Sequence, residues 1–293
     1  MLLAIAAVLS AAACGERSEP LGELEQPYPV TVRGAGDAAA TVEARPERIV
    51  ALDPGSAELL EALGVGSRLV GAPAGVESEA TEVVKPTGQI LVEEVARLKP
   101  DLIVATPTTD RVEVAQAVRQ SGAALYVQPA GSIEDVERAA LELGFLVDEP
   151  VAARKLRASL RAETAAIDRA VGDAPPISVF VDTGFFIPAS ERTLLGSLVD
   201  RAHGKNVAGD DAGLGPFDLE ELARLDPDVY AALSDSGTTL ETLEEKPETR
   251  TLHAVMAGRF VELDASLVTR AGPRVADAYE AVARALHPDA FRQ

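Results

Sequence analysis

The sequence predicts an α/β protein of two lobes, each a mainly parallel sheet flanked by helices, connected by one long interlobe helix. Three observations predict it. Strand, turn and helix alternate from Pro46 onward; a stretch of the first half recurs without a gap in the second; and a segment free of glycine and interior proline separates the two copies. Alternating strands and helices favour a parallel sheet covered on both faces.

The elements follow in order. Residues 48–52 are apolar strand formers, followed by the turn Asp53-Pro54-Gly55 and by Ser56 as a helix cap. Leu59, Leu60 and Leu63 then recur at helical spacing until Gly64 stops the run. Residues 102–105 precede a helix around 112–118, and residues 125–127 precede a helix over 133–143. Residues 92–106 align with 219–233, with Glu93/Glu220, Glu94/Glu221, Ala96/Ala223, Arg97/Arg224, Leu98/Leu225, Pro100/Pro227, Asp101/Asp228 and Ala105/Ala232 identical. In each copy a short helix ends at a Pro-Asp turn, because proline has no N–H with which to continue it, and an apolar strand follows. Between the copies, residues 149–171 place Leu156, Leu160, Ile167 and Val171 on one stripe of a helix about 30 Å long. Pro175-Pro176 ends that helix, and residues 177–181 open the second lobe.

Composition narrows the function. The 293 residues carry a net charge of -20, which repels phosphate backbones and anionic lipid head groups, so no nucleic-acid partner is expected. One cysteine cannot form an internal disulfide, and His203, His253 and His287 lie in unlike contexts, so neither a resident metal nor a cofactor is expected. Asp210-Asp211, with Gly213 and Gly215, reads as a loop, and Gly196-Ser197 falls inside an apparent helix rather than in a nucleophile elbow. There is no phosphate-cradling glycine run followed by lysine. An enzyme is not expected.

The first 13 residues are uncharged and end at Cys14. They are too few to span a bilayer, which needs about 20 apolar residues, and have the length of a signal-peptide hydrophobic region with small residues before the cysteine. Residues 1–13 are thus expected as a signal peptide and Cys14 as the lipidation site. Residues 14–45, broken by Pro20, Pro27, Pro29 and Gly34 to Gly36, are expected as a tether. The lobes are then 46–148 and 173–293, with the helix at 149–172 between them. On that reading the chain is expected outside the cytoplasm, attached to the bacterial membrane through lipid only.

Taken together, residues 46–52, the helix 58–63 with Gly64 and Gly66 after it, residues 98–104, residues 215–222 and the late Gly272-Pro273-Arg274 resemble the solute-binding proteins of ABC importers for ferric siderophores, haem and cobalamin. In that class two α/β lobes are joined by one long helix. The resemblance covers roughly residues 46–288 and implies a monomer that delivers a chelate to a permease and its ATPase. It implies an iron complex, a ferric siderophore foremost, as the bound solute; cobalamin or haem, or a ligand-sensing or scaffold lipoprotein of the same fold, are the alternatives.

The resemblance also implies that one exposed glutamate on each lobe docks against permease arginines, and these fall on Glu93 and Glu220. The same positions suit the first turn of a helix, where negative charge opposes the dipole. Ligand is expected at the C-terminal ends of the strands, between the lobes. On the first lobe this nominates Pro54, Ser56, Ala74, Thr108 and Arg111; on the second, Phe185, Phe186, Pro216, Phe217, Ser236 and Arg270. One of the two adjacent phenylalanines is expected in the core and the other on the cleft wall, where it could stack on a flat ligand. Arg111 and Arg270 offer planar guanidinium forks to an anionic chelate, and Tyr126 is a further residue within reach of a cleft.

Overall fold

The computed structural model describes residues 28–209 and 215–292. The expected signal peptide and lipidation site, residues 1–13 and Cys14, lie outside the described residues. The first lobe opens with a hairpin of β1 (Val30–Arg33) and β2 (Ala39–Val42), paired antiparallel. Its main sheet is parallel, in the order β5 (Thr81–Val84), β4 (Leu69–Pro73), β3 (Ile49–Ala51), β6 (Leu102–Ala105), β7 (Ala124–Val127). Helices α1 (Pro54–Ala62), α2 (Val92–Leu98), α3 (Arg111–Ser121) and α4 (Ile133–Leu146) cover it. After α5 (Pro150–Val171), the second lobe forms a parallel sheet in the order β11 (Phe260–Leu263), β10 (Val229–Leu233), β8 (Ile177–Asp182), β9 (Gly204–Asn206). Its helices are α6 (Leu194–Arg201), α7 (Leu219–Leu225), α8 (Leu240–Glu245), α9 (His253–Met256), α10 (Ala265–Val268) and α11 (Val275–Leu286).

The hairpin corrects the expected tether. Val30, Ala40 and Val42 are buried in the main core, and the turn at Gly34 fits so closely that a Cβ there would lie 2.4 Å from the Val127 carbonyl oxygen. The glycines that suggested a loose segment instead make a tight turn, Gly36 sitting at φ 63°. The first lobe therefore begins by residue 30 rather than at Pro46.

Strand periodicity divides the interior. In β6, Leu102 and Val104 face one core while Ile103 and Ala105 face another; in the second lobe Val179 and Val181 face the first core while Phe180 faces a third. The shared central core runs through both lobes and across α5, whose buried face is Ala153, Leu160, Thr164, Ile167 and Val171. Full burial of Leu160 and Ile167 contributes about 2–3 kcal/mol each. Glu137 of α4 receives Arg157 and Arg161, and Asp168 of α5 receives Arg201 of α6 and the Tyr279 hydroxyl of α11. The strut is thus cemented to elements of both lobes.

The internal repeat has a structural cause. The helix before each Pro-Asp corner ends at a left-handed residue, Lys99 at φ 47° and Asp226 at φ 43°. The following aspartate then pins the start of the neighbouring strand: Asp101 accepts from the Glu47 and Arg48 N–H groups, and Asp228 from the Ser178 N–H and hydroxyl. The Ser178 bonds hold the Asp228 carboxyl below its usual pKa.

Candidate ligand cleft between the lobes

A cavity of about 1010 Å³ opens between the lobes at the C-terminal ends of the strands. Of the residues nominated from the sequence, Pro54, Thr108 and Arg270 line it. Arg270 is already engaged: its guanidinium donates to Glu58 of α1 at 2.7 Å, an ion pair between the lobes.

The remaining nominations are corrected by packing. Ser56 is fully buried beneath the cavity, where its N–H and hydroxyl donate to Asp53 and its hydroxyl also meets Gln128 Oε1 at 2.8 Å. Ala74 sits past the end of β4, bonded through its N–H to the Val84 carbonyl, away from the cavity. Arg111 lines an adjoining space of about 400 Å³ between α3 and the hairpin turn, which shares Ala35, Gly36, Thr106 and Pro107 with the cavity. Ser236 is fully buried and accepts from the Thr238 N–H. Phe217 packs on Phe180 with ring centres 5.6 Å apart, and Pro216 is exposed outside the cavity. Phe186 packs against the outer core of the second lobe under Lys246, whereas Phe185 stands exposed in solvent; neither ring reaches the cavity. Tyr126 is fully buried and donates to Glu142 at 2.6 Å.

The cavity wall instead takes in residues the sequence did not nominate. The hairpin turn supplies Ala35 and Gly36, α4 supplies Asp135 and Arg138, and the segment entering α6 supplies Arg192. Only the cap residue Ser132, which fixes the start of α4 by accepting from the Asp135 N–H, gave a local signal for the second of these. Charge in the wall is balanced. Among the described residues it holds Asp53, Asp135 and Asp235 against Arg138, Arg192 and Arg270. Arg138 is paired with Asp135 at 2.7 Å and Arg270 with Glu58, while Arg192 has no ion-pair partner among the described residues. Burial pushes the Asp53 carboxyl above its usual pKa, against the hydrogen bonds from Ser56. No histidine, cysteine, methionine or tyrosine lines the cavity among the described residues, and no cluster of metal-ligating side chains occurs among them.

Beside the cavity the lobes touch. Gln128 Nε2 donates to the Ala271 carbonyl at 2.7 Å, and a Cβ on Gly55 would lie 2.8 Å from that same carbonyl group, so only glycine allows this approach.

Glu93 and Glu220 occupy equivalent positions in the first turns of α2 and α7 and are exposed. Their neighbours Glu94 and Glu221 pair with Arg97 and Arg224 on their own helices. Glu93 and Glu220 have no ion-pair partner among the described residues.

Comparison with known proteins agrees with this architecture. A family model described as periplasmic binding protein matches residues 49–267. An ABC transporter substrate-binding lipoprotein of Bacillus subtilis, YvrC, is 27% identical, the alignment covering 99% of this chain and 97% of that protein. A cobalamin-binding protein of Halobacterium salinarum is 27% identical over 89% of this chain and 74% of its own length. Among solved structures, the periplasmic haem-binding protein BhuT in complex with two haems superposes with a TM-score of 0.75 at 23% identity, over 85% of this chain and 100% of that one.

Proposed function

The chain belongs to the periplasmic binding protein family, and on that premise we propose that it is the extracytoplasmic solute-binding lipoprotein of an ABC importer whose cleft takes a corrinoid such as cobalamin. The relatives support the importer class, and the cobalamin-binding relative supports the ligand. The observation that carries the choice is the cavity wall. It is large, charge-balanced and, among the described residues, without the histidine, cysteine, methionine or tyrosine that would serve a haem iron as axial ligand. A haem held by the protein needs an axial donor such as histidine or tyrosine. A corrinoid arrives with its metal already coordinated and needs shape, apolar contact and a few polar partners. Thr108, Pro54 and Ile187 supply that mixture. No chemistry is performed on the solute. Recognition is by fit, and delivery depends on Glu93 and Glu220, one on each lobe, presenting carboxylates to permease arginines. Cys14 anchors the chain by lipid.

One observation favours a second reading. Arg192 at the cavity wall has no carboxylate partner among the described residues and would suit an anionic ferric chelate.

The test is thermal unfolding of the purified protein with cyanocobalamin, hemin and ferric enterobactin in turn. At about 100 times Kd, a ligand adds about 2.7 kcal/mol of native stability and raises Tm by about 5 °C. Stabilisation by cyanocobalamin alone is expected. Stabilisation by the ferric chelate, and not by its metal-free form, selects the second reading.

A further inference from the structure

Among the described residues, Phe185 is the one large apolar side chain of the cleft loops that the fold turns outward. It follows β8, between Thr183 and Ile187, both of which line the cavity, yet the residue is 76% exposed and its ring lies beside Gly237. The backbone makes this costly. Phe185 and Phe186 are consecutive left-handed residues at φ 50° and 64°, a conformation that L side chains resist.

A hydrogen-bonded frame holds them there. Thr183 bonds through its N–H and hydroxyl to the Ile187 carbonyl, and the Phe185 N–H donates to the Ser236 carbonyl. Beneath, the fully buried Asp182 accepts from the Gly184 N–H and from the Tyr230 and Thr238 hydroxyls. The Phe186 carbonyl accepts from the Phe217 N–H, and the next residue, Asp218, caps α7 by accepting from the Glu220 and Glu221 N–H groups. The loop that carries the exposed Phe185 is therefore hydrogen-bonded to the segment that enters α7, whose Glu220 has no ion-pair partner among the described residues.

We propose that Phe185 is an apolar anchor for the importer's membrane-embedded subunit, inserting into a socket beside the basic group that meets Glu220. The inference rests on the importer reading above. Exposure and orientation argue against ligand as the occupant, since the cavity wall passes through Thr183 and Ile187 and leaves the Phe185 ring outside. Continuity with Glu220 argues for the permease: an apolar anchor flanked by a charge that steers approach is the usual composition of a specific contact.

The experiment is photocrosslinking in cells that make the full lipidated chain with its own importer, with p-benzoylphenylalanine placed at Phe185 or, separately, at Glu220. Both positions are expected to yield an adduct whose partner peptides are those of an ABC transmembrane subunit. The Phe185→Asn variant, which tolerates the left-handed backbone, is expected to keep or raise Tm by about 1–3 °C, to bind cyanocobalamin as the parent does, and to lower uptake at least tenfold. An adduct from the Glu220 position but none from Phe185 overturns the anchor and leaves the importer reading standing. Adducts from neither position overturn both. A Phe185 adduct with a second copy of this chain, or a tenfold loss of cyanocobalamin affinity in Phe185→Asn, reassigns the ring to self-association or to the ligand and ends the proposal.

Discussion

Glu58 of the first lobe and Arg270 of the second, 212 residues apart in sequence, meet at 2.7 Å beside the cavity between the lobes, and Arg274 approaches the same carboxylate oxygen at 3.8 Å. The pair lies next to the Gln128–Ala271 hydrogen bond and the close approach of Gly55 to Ala271. The lobes are thus joined along α5, at this contact, and by the Arg201 guanidinium of α6 on Glu134 of α4. Several attachments restrict closure to small rotations, since a single hinge is not free to swing. In a double-mutant cycle, Glu58→Gln and Arg270→Met should show a coupling of about 1–2 kcal/mol by urea unfolding, both side chains being only about a quarter exposed. Coupling below about 0.3 kcal/mol would mean that the contact does not tie the lobes.

Asp168 should make stability depend on pH at the acid end. The guanidinium of Arg201 and the Tyr279 hydroxyl hold its carboxyl below the usual range. A depressed folded-state pKa gives stability that is present above the unfolded value of about 3.9 and lost as pH falls through the folded value. Asp168→Asn is expected to cost about 1 kcal/mol at pH 7, a modest figure because the carboxylate is 41% exposed and partly screened. The difference should narrow as pH falls below the unfolded value and through the lower folded one. A deficit in urea unfolding that stays the same from neutral pH to the acid end would show that shape, and not charge, is what the variant loses.

The hairpin of residues 30–42 should prove part of the folded lobe. A chain starting at residue 45 exposes the core surface covered by Val30, Ala40 and Val42. Relative to one starting at residue 28, the expected loss is about 3–5 kcal/mol, an upper figure because the unfolded chain is itself partly collapsed. Equal unfolding midpoints for the two chains would return the segment to the role of a tether.

Docking should separate the two glutamates of each helix. Glu93→Ala combined with Glu220→Ala is expected to reduce uptake more than tenfold, with ligand affinity unchanged and stability within about 0.5 kcal/mol of the parent. Glu94→Ala combined with Glu221→Ala removes only ion pairs internal to α2 and α7 and should leave uptake near normal. Equal uptake defects in the two double variants would count against a specific role for Glu93 and Glu220.

Much of the architecture was legible in the sequence because its signals are local. The stripe through Leu160, Ile167 and Val171 marks α5 by its period, Gly64 ends α1 at φ 83°, and the repeated Pro-Asp corners place Asp101 and Asp228 at the same structural task. Period, cap and breaker act over a few residues, so they survive in one dimension. The cleft was legible as a location, the C-terminal ends of parallel strands, but only in part as a residue list. Whether Ser56 points into the cavity or under it depends on Gln128 and Asp53, and whether Arg270 is free depends on Glu58 from the other lobe. Phe185 and Phe186 differ by one position, and left-handed backbone, not side-chain chemistry, sends one ring to the core and the other to solvent. Composition and periodicity by themselves determined the two sheets, the strut and the paired glutamates. The tertiary structure alone decided which polar groups are free to meet a ligand, because Ser56 and Arg270 are engaged by Gln128 and Glu58, partners far away along the chain.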